Sequence, residues 1–176
     1  VTVDATAIGA SGDTININAN AEQDGKIIIK GGDGANTITI SKSANFGDTI
    51  TAGAGNDTIS LGAASHLTKD DSIDGGTGDD TISLAAAGTL LDAAFTGVTN
   101  IKTVTSAADE SFTGLTLGAE AAEAGITNVI LAGKTAAETV TLGSGFTSDI
   151  SIELDEDASG LNTITATSYT KSLTVT

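Results

Sequence analysis

The 176-residue sequence predicts an all-β fold: a parallel β-solenoid (β-roll or β-helix) with two strands per coil of about 23 residues and roughly seven coils. Three observations point there. An apolar residue flanked by Thr or Ser recurs at Val3, Ile15, Ile28, Ile38, Ile50, Ile59, Ile73 and Ile82, then at Val104, Leu117, Val129, Val140, Ile152, Ile164 and Val175. Every second step is nearly constant, and those from Ile15 to Ile38, Ile50 to Ile73 and Ile59 to Ile82 are equal. The segments around these residues are short and alternate with period two, as in "NTITI" (36–40) and "ETVTL" (138–142), which is the signature of strands. Finally, "AGAGNDTISLG" (52–62) returns almost unchanged as "GGTGDDTISLA" (75–85), one such double step later.

Strands this short cannot each bury a face alone, but stacking them coil on coil buries a continuous aliphatic ladder. At about 4.8 Å per coil the rod is about 35 Å long. The step from Ile82 to Val104 is predicted to hide a half-turn near Leu91 to Phe95, and "GAEAAEAGI" (118–126) can form one helical turn. An antiparallel sandwich also sets short strands at regular, turn-sized intervals, but it has no reason to repeat its turn chemistry so literally. The whole chain is therefore expected to be one solenoid.

Composition agrees with a thin core. Four Phe, one Tyr and no Trp leave little aromatic mass. High net charge favours disorder, yet regular aliphatic spacing and a charged fraction of only 17% argue for folding. The charge of -16 comes from 16 Asp and 7 Glu against seven Lys and no Arg. Such a surface repels nucleic acid and favours cations. Without Cys there is no disulfide scaffold or thiolate metal site. No apolar run is long enough for a transmembrane helix. The chain lacks an initiator Met and a leader-like segment, which is expected of a processed product or an excised piece.

The turns carry the chemical signal. Glycine supplies tight turns and close backbone approach, but it does not explain an acid two residues before the inward aliphatic. Asp13, Asp48, Asp57, Asp71 and Asp80 hold that place, with Asn36 taking it in one coil. Stacked coils predict one ladder of Asp13, Asn36, Asp57 and Asp80 and another of Asp24, Asp48 and Asp71, with Asp70 and Asp74 beside it. Carboxylates one coil apart repel by about 3 kcal/mol at an effective dielectric of about 20. Cations between the rungs relieve this, and Ca2+ suits the task because it takes six to eight oxygens, backbone carbonyls included.

These residues resemble a known family. "GGTGDDTIS" (75–83) matches the RTX calcium-binding nonapeptide G-G-x-G-x-D-x-U-x at every fixed position. "GGDGANTIT" (31–39) differs only at Asn36, and "AGAGNDTIS" (52–60) only at Ala52; "SGDTI" (11–15) and "FGDTI" (46–50) are truncated relatives. The resemblance implies calcium held by Asp13, Asn36, Asp48, Asp57, Asp71 and Asp80, with the glycine turns at Gly31, Gly32 and Asp33, at Gly53, and at Gly75 and Gly76 supplying the remaining oxygens. It departs in two ways: RTX rolls use two nonapeptides, about 18 residues, per coil, and the motif stops after residue 84. Residues 1–84 are thus expected to be calcium-binding RTX-like coils and 85–176 motif-poor coils of the same solenoid. The mixture, together with "FTGVTNIKTVT" (95–105), is similar to RTX-type surface-layer proteins of Gram-negative bacteria.

That resemblance implies a structural, non-enzymatic module, exported to the bacterial cell surface and folding on extracellular calcium. Self-association into a lattice or end-to-end stacking follows, with a cell-surface glycan as a candidate partner. A repeat module of an RTX adhesin, or of a secreted RTX hydrolase or toxin, is the alternative. A Thr-array ice-binding solenoid is a second, because Thr-x-Thr pairs flank many inward aliphatics. No G-x-S-x-G elbow or Lys-bearing phosphate loop is present. His66, the only histidine, has no evident catalytic partner set. "DEDASG" (155–160) imitates half of an EF-hand loop but lacks the glutamate at position twelve.

Overall fold

The recurring aliphatics stack directly on one another. The computed structural model describes residues 1–7, 14–19, 25–40, 47–106, 112–131, 137–154 and 161–176. Every strand pairing among them is parallel. Ile82 lies over Ile59, Val104 over Ile82 and Ile152 over Val129, so the rungs follow one another at the interval of the sequence repeat.

The longest sheet runs the length of the molecule in eight strands: Asn16–Asn18, Thr37–Ile40, Thr58–Leu61, Thr81–Leu84, Thr103–Ser106, Asn128–Leu131, Ile150–Leu154 and Leu173–Val175. A second sheet packs against its N-terminal half: Thr2–Asp4, Ile28–Lys30, Thr49–Thr51, Ser72–Asp74 and Val98–Thr99. These alternate with the first sheet's strands, two per coil, as the motif spacing requires.

The C-terminal half adds a third side. Gly88–Leu90, Phe112–Leu117, Thr139–Leu142 and Thr163–Thr165 form a separate four-stranded parallel sheet. The interval between Ile82 and Val104 accordingly holds two strands and a 3-10 turn (Asp92–Phe95), more than the expected half-turn. Where the third sheet grows, the second one stops. Helix α1 (Ala119–Ala124) takes its place, as the "GAEAAEAGI" stretch predicts, and ends at Gly125 in the left-handed conformation. The Ile101 N–H donates to the Ala124 carbonyl, tying the helix to the coil beneath it.

Inward Ile, Leu and Val from all three sheets form one continuous core, from Ile27 to Ile152. Fully burying one such side chain contributes about 1.5–3 kcal/mol, so the ladder carries the fold despite its thinness. At three rungs the residue in register differs from the expected one; at one of them Leu115, not Leu117, pairs with Val140, Leu117 lying against Leu142. Ile29, not Ile28, is the buried residue of its strand. Ile17, not Ile15, pairs with Ile38. In "TININ" and "KIIIK" aliphatics occupy neighbouring candidate positions, so alternation alone does not choose between them.

Candidate metal centre

Three successive coils enter their long-sheet strands through glycine turns that end in Asn36, Asp57 and Asp80. The register Thr37–Thr58–Thr81 stacks these three directly above one another. All three are buried, at 2%, 1% and 0% exposure, where a polar side chain without partners is costly. Part of that need is met across coils. The Asn36 N–H donates to Asp57 Oδ1 at 2.6 Å, and the Asp57 N–H donates to Asp80 Oδ1 at 2.8 Å. Each carboxylate therefore ties the backbone of the preceding coil.

The second oxygen is different. Asp57 Oδ2 and Asp80 Oδ2 are buried and receive no hydrogen bond, and neither does the buried Asn36 Oδ1, an uncharged amide oxygen. Burial raises the Asp57 carboxyl pKa above its ordinary value, against the opposing bonds from Asn36. Burial likewise pushes Asp80 up to about 6; the Asp57 and Asp79 charges add to the rise, while the Asp57 N–H and Lys102 oppose it.

Carbonyl oxygens crowd the same turns, because the glycines let successive turns nearly touch. Gly76 has φ +89° and Gly78 has φ +138°, and a Cβ on either would clash with the Gly53 or Gly55 carbonyl oxygen, at 1.8 and 1.9 Å. Asp80 Oδ2 lies against Gly75 in its own turn. Among the described residues, no three acidic or histidine side chains converge. A cation here would therefore draw on backbone carbonyls as well as carboxylates. That donor set, all hard oxygen with unpartnered carboxylate atoms, fits Ca2+.

The ladder has definite ends. Beyond Asp80 the next residue in register is Lys102, whose ammonium pairs with Asp79. Below Asn36 the register places Ile15, whose carbonyl accepts the Thr37 N–H. Asp13, expected at that rung, lies outside the described residues, as does Asp24 of the other ladder.

The turns leading into the second sheet stack Asp48 and Asp71, as the spacing predicts, but in another environment. Ile27 N–H donates to Asp48 Oδ1 and Asp48 N–H donates to Asp71 Oδ1. Asp71 Oδ2 accepts from both the N–H and the hydroxyl of Thr68, so protein donors reach both of its oxygens. Asp70 is exposed and paired with Lys69, while Asp74 Oδ1 accepts from Gly76 N–H and the Asn100 amide. Gly31 and Gly32 are buried in their turn, and Asp33 at its tip is exposed. His66 sits apart, with Nδ1 3.3 Å from the Ile40 carbonyl oxygen. The EF-hand-like 155–160 segment lies outside the described residues.

Other polar residues, outside the expected ladders, do comparable cross-coil work. Asn162 Oδ1 accepts the Glu138 N–H, and Asp149 accepts the Ser172 N–H. Asp92 Oδ1 accepts from Gly118 and Ala121, anchoring the start of α1. Glu138 and Asn162 stand two residues before Val140 and Ile164, the same offset as the N-terminal acids, so that signal extends past residue 84 without glycines.

Among the described residues no helix is long and apolar enough to cross a membrane. Comparison with curated proteins and with solved structures returns no match. Residues 44–65 and 67–86 match the family model of the RTX calcium-binding nonapeptide repeat, over the coils that hold Asp48, Asp57, Asp71 and Asp80. The chain thus carries RTX calcium-binding repeats within a parallel β-solenoid, the make-up of a calcium-binding structural repeat module.

Proposed function

We propose that this chain is a non-enzymatic, calcium-stabilised segment of an exported bacterial surface-layer or cell-surface protein, ordered by extracellular calcium and assembling with copies of itself. The observation that carries the calcium part is the pair of buried, unpartnered oxygens at Asp57 and Asp80 in glycine turns rich in carbonyls. Asp57 and Asp80 would hold the ion, with carbonyls of the Gly53 and Gly75 turns completing its shell. A bound cation supplies positive charge between rungs that otherwise set carboxylates against carbonyls. The chain's own residues do the rest: glycines bring the turns together, and the Asp57 and Asp80 carboxylates knit each coil to its neighbour.

Ion binding that requires the folded state adds RT ln(1 + [L]/Kd) to stability. Extracellular calcium modules work at about 10⁻⁴ to 10⁻³ M. A protein built this way stays loose where calcium is scarce and sets after export. The role at a cell surface rests on the RTX-like repeats, the Thr- and Gly-rich, Cys-free composition and the acidic surface.

Light scattering and negative-stain microscopy at millimolar calcium test the assembly. Sheets or end-to-end particles that dissolve in EDTA and do not form with magnesium are expected. A chain that stays monomeric at millimolar calcium contradicts self-assembly and favours the adhesin or hydrolase repeat reading. Outward Thr37, Thr58, Thr81 and Thr103 form one row on the long sheet, but the row continues as Asn128 and Ser151, so a regular ice-facing array is short.

A further inference from the structure

Asn36 occupies the place of an acid, and its amide does something no carboxylate can. Nδ2 lies 2.7 Å from the Gly34 carbonyl oxygen, 3.0 Å from that of Ala52, 3.4 Å from that of Gly32 and 2.9 Å from Asp57 Oδ1. Four oxygens, two from its own turn and two from the next coil, thus surround one buried nitrogen. Because all four are acceptors, only the NH2 end of the amide can face them. The side chain is 2% exposed.

The register identifies the equivalent atoms one coil on. Ala54 bridges to Thr77, Ala54 N–H donates to the Gly32 carbonyl, and Thr77 N–H donates to the Gly53 carbonyl in the same manner. The counterparts of the four oxygens are therefore the carbonyls of Gly53, Gly55 and Gly75 and the Asp80 carboxylate. Asp57 stands where Asn36 stood, and it presents an oxygen instead of a nitrogen. The same cage is filled by a donor in one coil and left to oxygens alone in the next.

We propose that the Asn36 amide is a built-in replacement for a cation: it closes the 31–36 turn onto the 52–57 turn without metal, leaving calcium to the Asp57–Asp80 interval above. This rests on the calcium reading of that interval and goes beyond it, because it assigns a metal-independent rung next to a metal-dependent one. It also sets a direction. The Asn36 rung is preformed in calcium-free conditions and offers a template on which the Asp57 and Asp80 turns close when calcium arrives.

The test compares the wild-type chain with Asn36→Asp, counting bound calcium by native mass spectrometry and by calorimetric titration after EDTA stripping. The substitution recreates in the lower cage the donor set of the upper one, so one additional calcium ion per chain is expected. Amide hydrogen exchange on the wild-type chain in EDTA supplies a readout that does not depend on the variant folding. The amides of Asn36 and Thr58, which bond across the lower interval, should be slower than those of Asp57 and Thr81, which bond across the upper one, and calcium should slow the second pair much more than the first. Wild-type chain that binds calcium while Asn36→Asp binds the same number overturns this inference alone. So does equal calcium-dependence of the two pairs of amides. Wild-type chain that binds no calcium overturns the calcium reading as well.

Discussion

At the scale of single residues, the decisive atoms are the second carboxylate oxygens of Asp57 and Asp80. An acid whose folded pKa is raised prefers its neutral form in the fold. For Asp80, at about 6 against an ordinary 3.8, the unfolded chain releases its proton first as pH rises. Without calcium, this group therefore penalises the fold progressively between about pH 4 and pH 6, and fully above that. Thermal unfolding in EDTA is expected to show a higher midpoint at pH 5 than at pH 7.5; a midpoint that rises with pH across this range contradicts the assignment. With calcium bound the sense reverses, because the ion needs the charged form. Asp80→Asn is expected to leave the long-sheet rung intact, raise the midpoint in EDTA and shrink the gain from added calcium. Melting curves with and without calcium check it, and an unchanged calcium gain would exclude Asp80 as a ligand. The offset of an acid two residues before an inward aliphatic makes these positions legible in the sequence. That Thr68 satisfies Asp71, while no second donor reaches Asp57, is not legible there, since it depends on what the loop before each turn folds back to offer.

At the scale of turns and strands, glycine and isoleucine do separable work. Gly78→Ala forces a side chain into a positive-φ position and against the Gly55 carbonyl. A loss of at least about 2 kcal/mol is expected from strain and clash together, with the calcium midpoint moved to higher concentration. Ile82→Ala opens a cavity in a fully buried ladder rung and is expected to cost about 2–5 kcal/mol while leaving calcium stoichiometry unchanged. Denaturant melts in saturating calcium measure both. Strand positions are readable because Thr-Ile-Thr alternation repeats at nearly fixed spacing. The phase at Ile17 and Ile29 is not, because their neighbours Ile15, Ile27 and Ile28 are equally apolar. Three strands of the third sheet are legible at Leu117, Val140 and Ile164, but its first escapes for a related reason: Leu90, in "GTL", lacks the flanking Thr pair, so its strand looks like part of a long turn.

At the scale of the whole molecule, one unbroken eight-stranded sheet joins two halves that close their coils differently. In the N-terminal half, two strands and acid-bearing glycine turns complete each coil, and the RTX repeats fall there. In the C-terminal half a strand of the third sheet, helix α1 and Phe95 and Phe146 fill the section instead. There the core has hydrophobic volume in place of stacked turns, which accounts for the loss of the glycine motif while the strand rhythm continues. Calcium should accordingly act on one half of the solenoid more than on the other. The most direct measurement is a calcium titration of the EDTA-stripped chain followed by far-ultraviolet circular dichroism. A cooperative gain of β signal is expected between about 10⁻⁴ and 10⁻³ M calcium, absent with magnesium and lost when Asp57 and Asp80 are both replaced by alanine. A chain fully folded in EDTA, with the same signal and the same melting midpoint after calcium is added, would contradict calcium-linked folding.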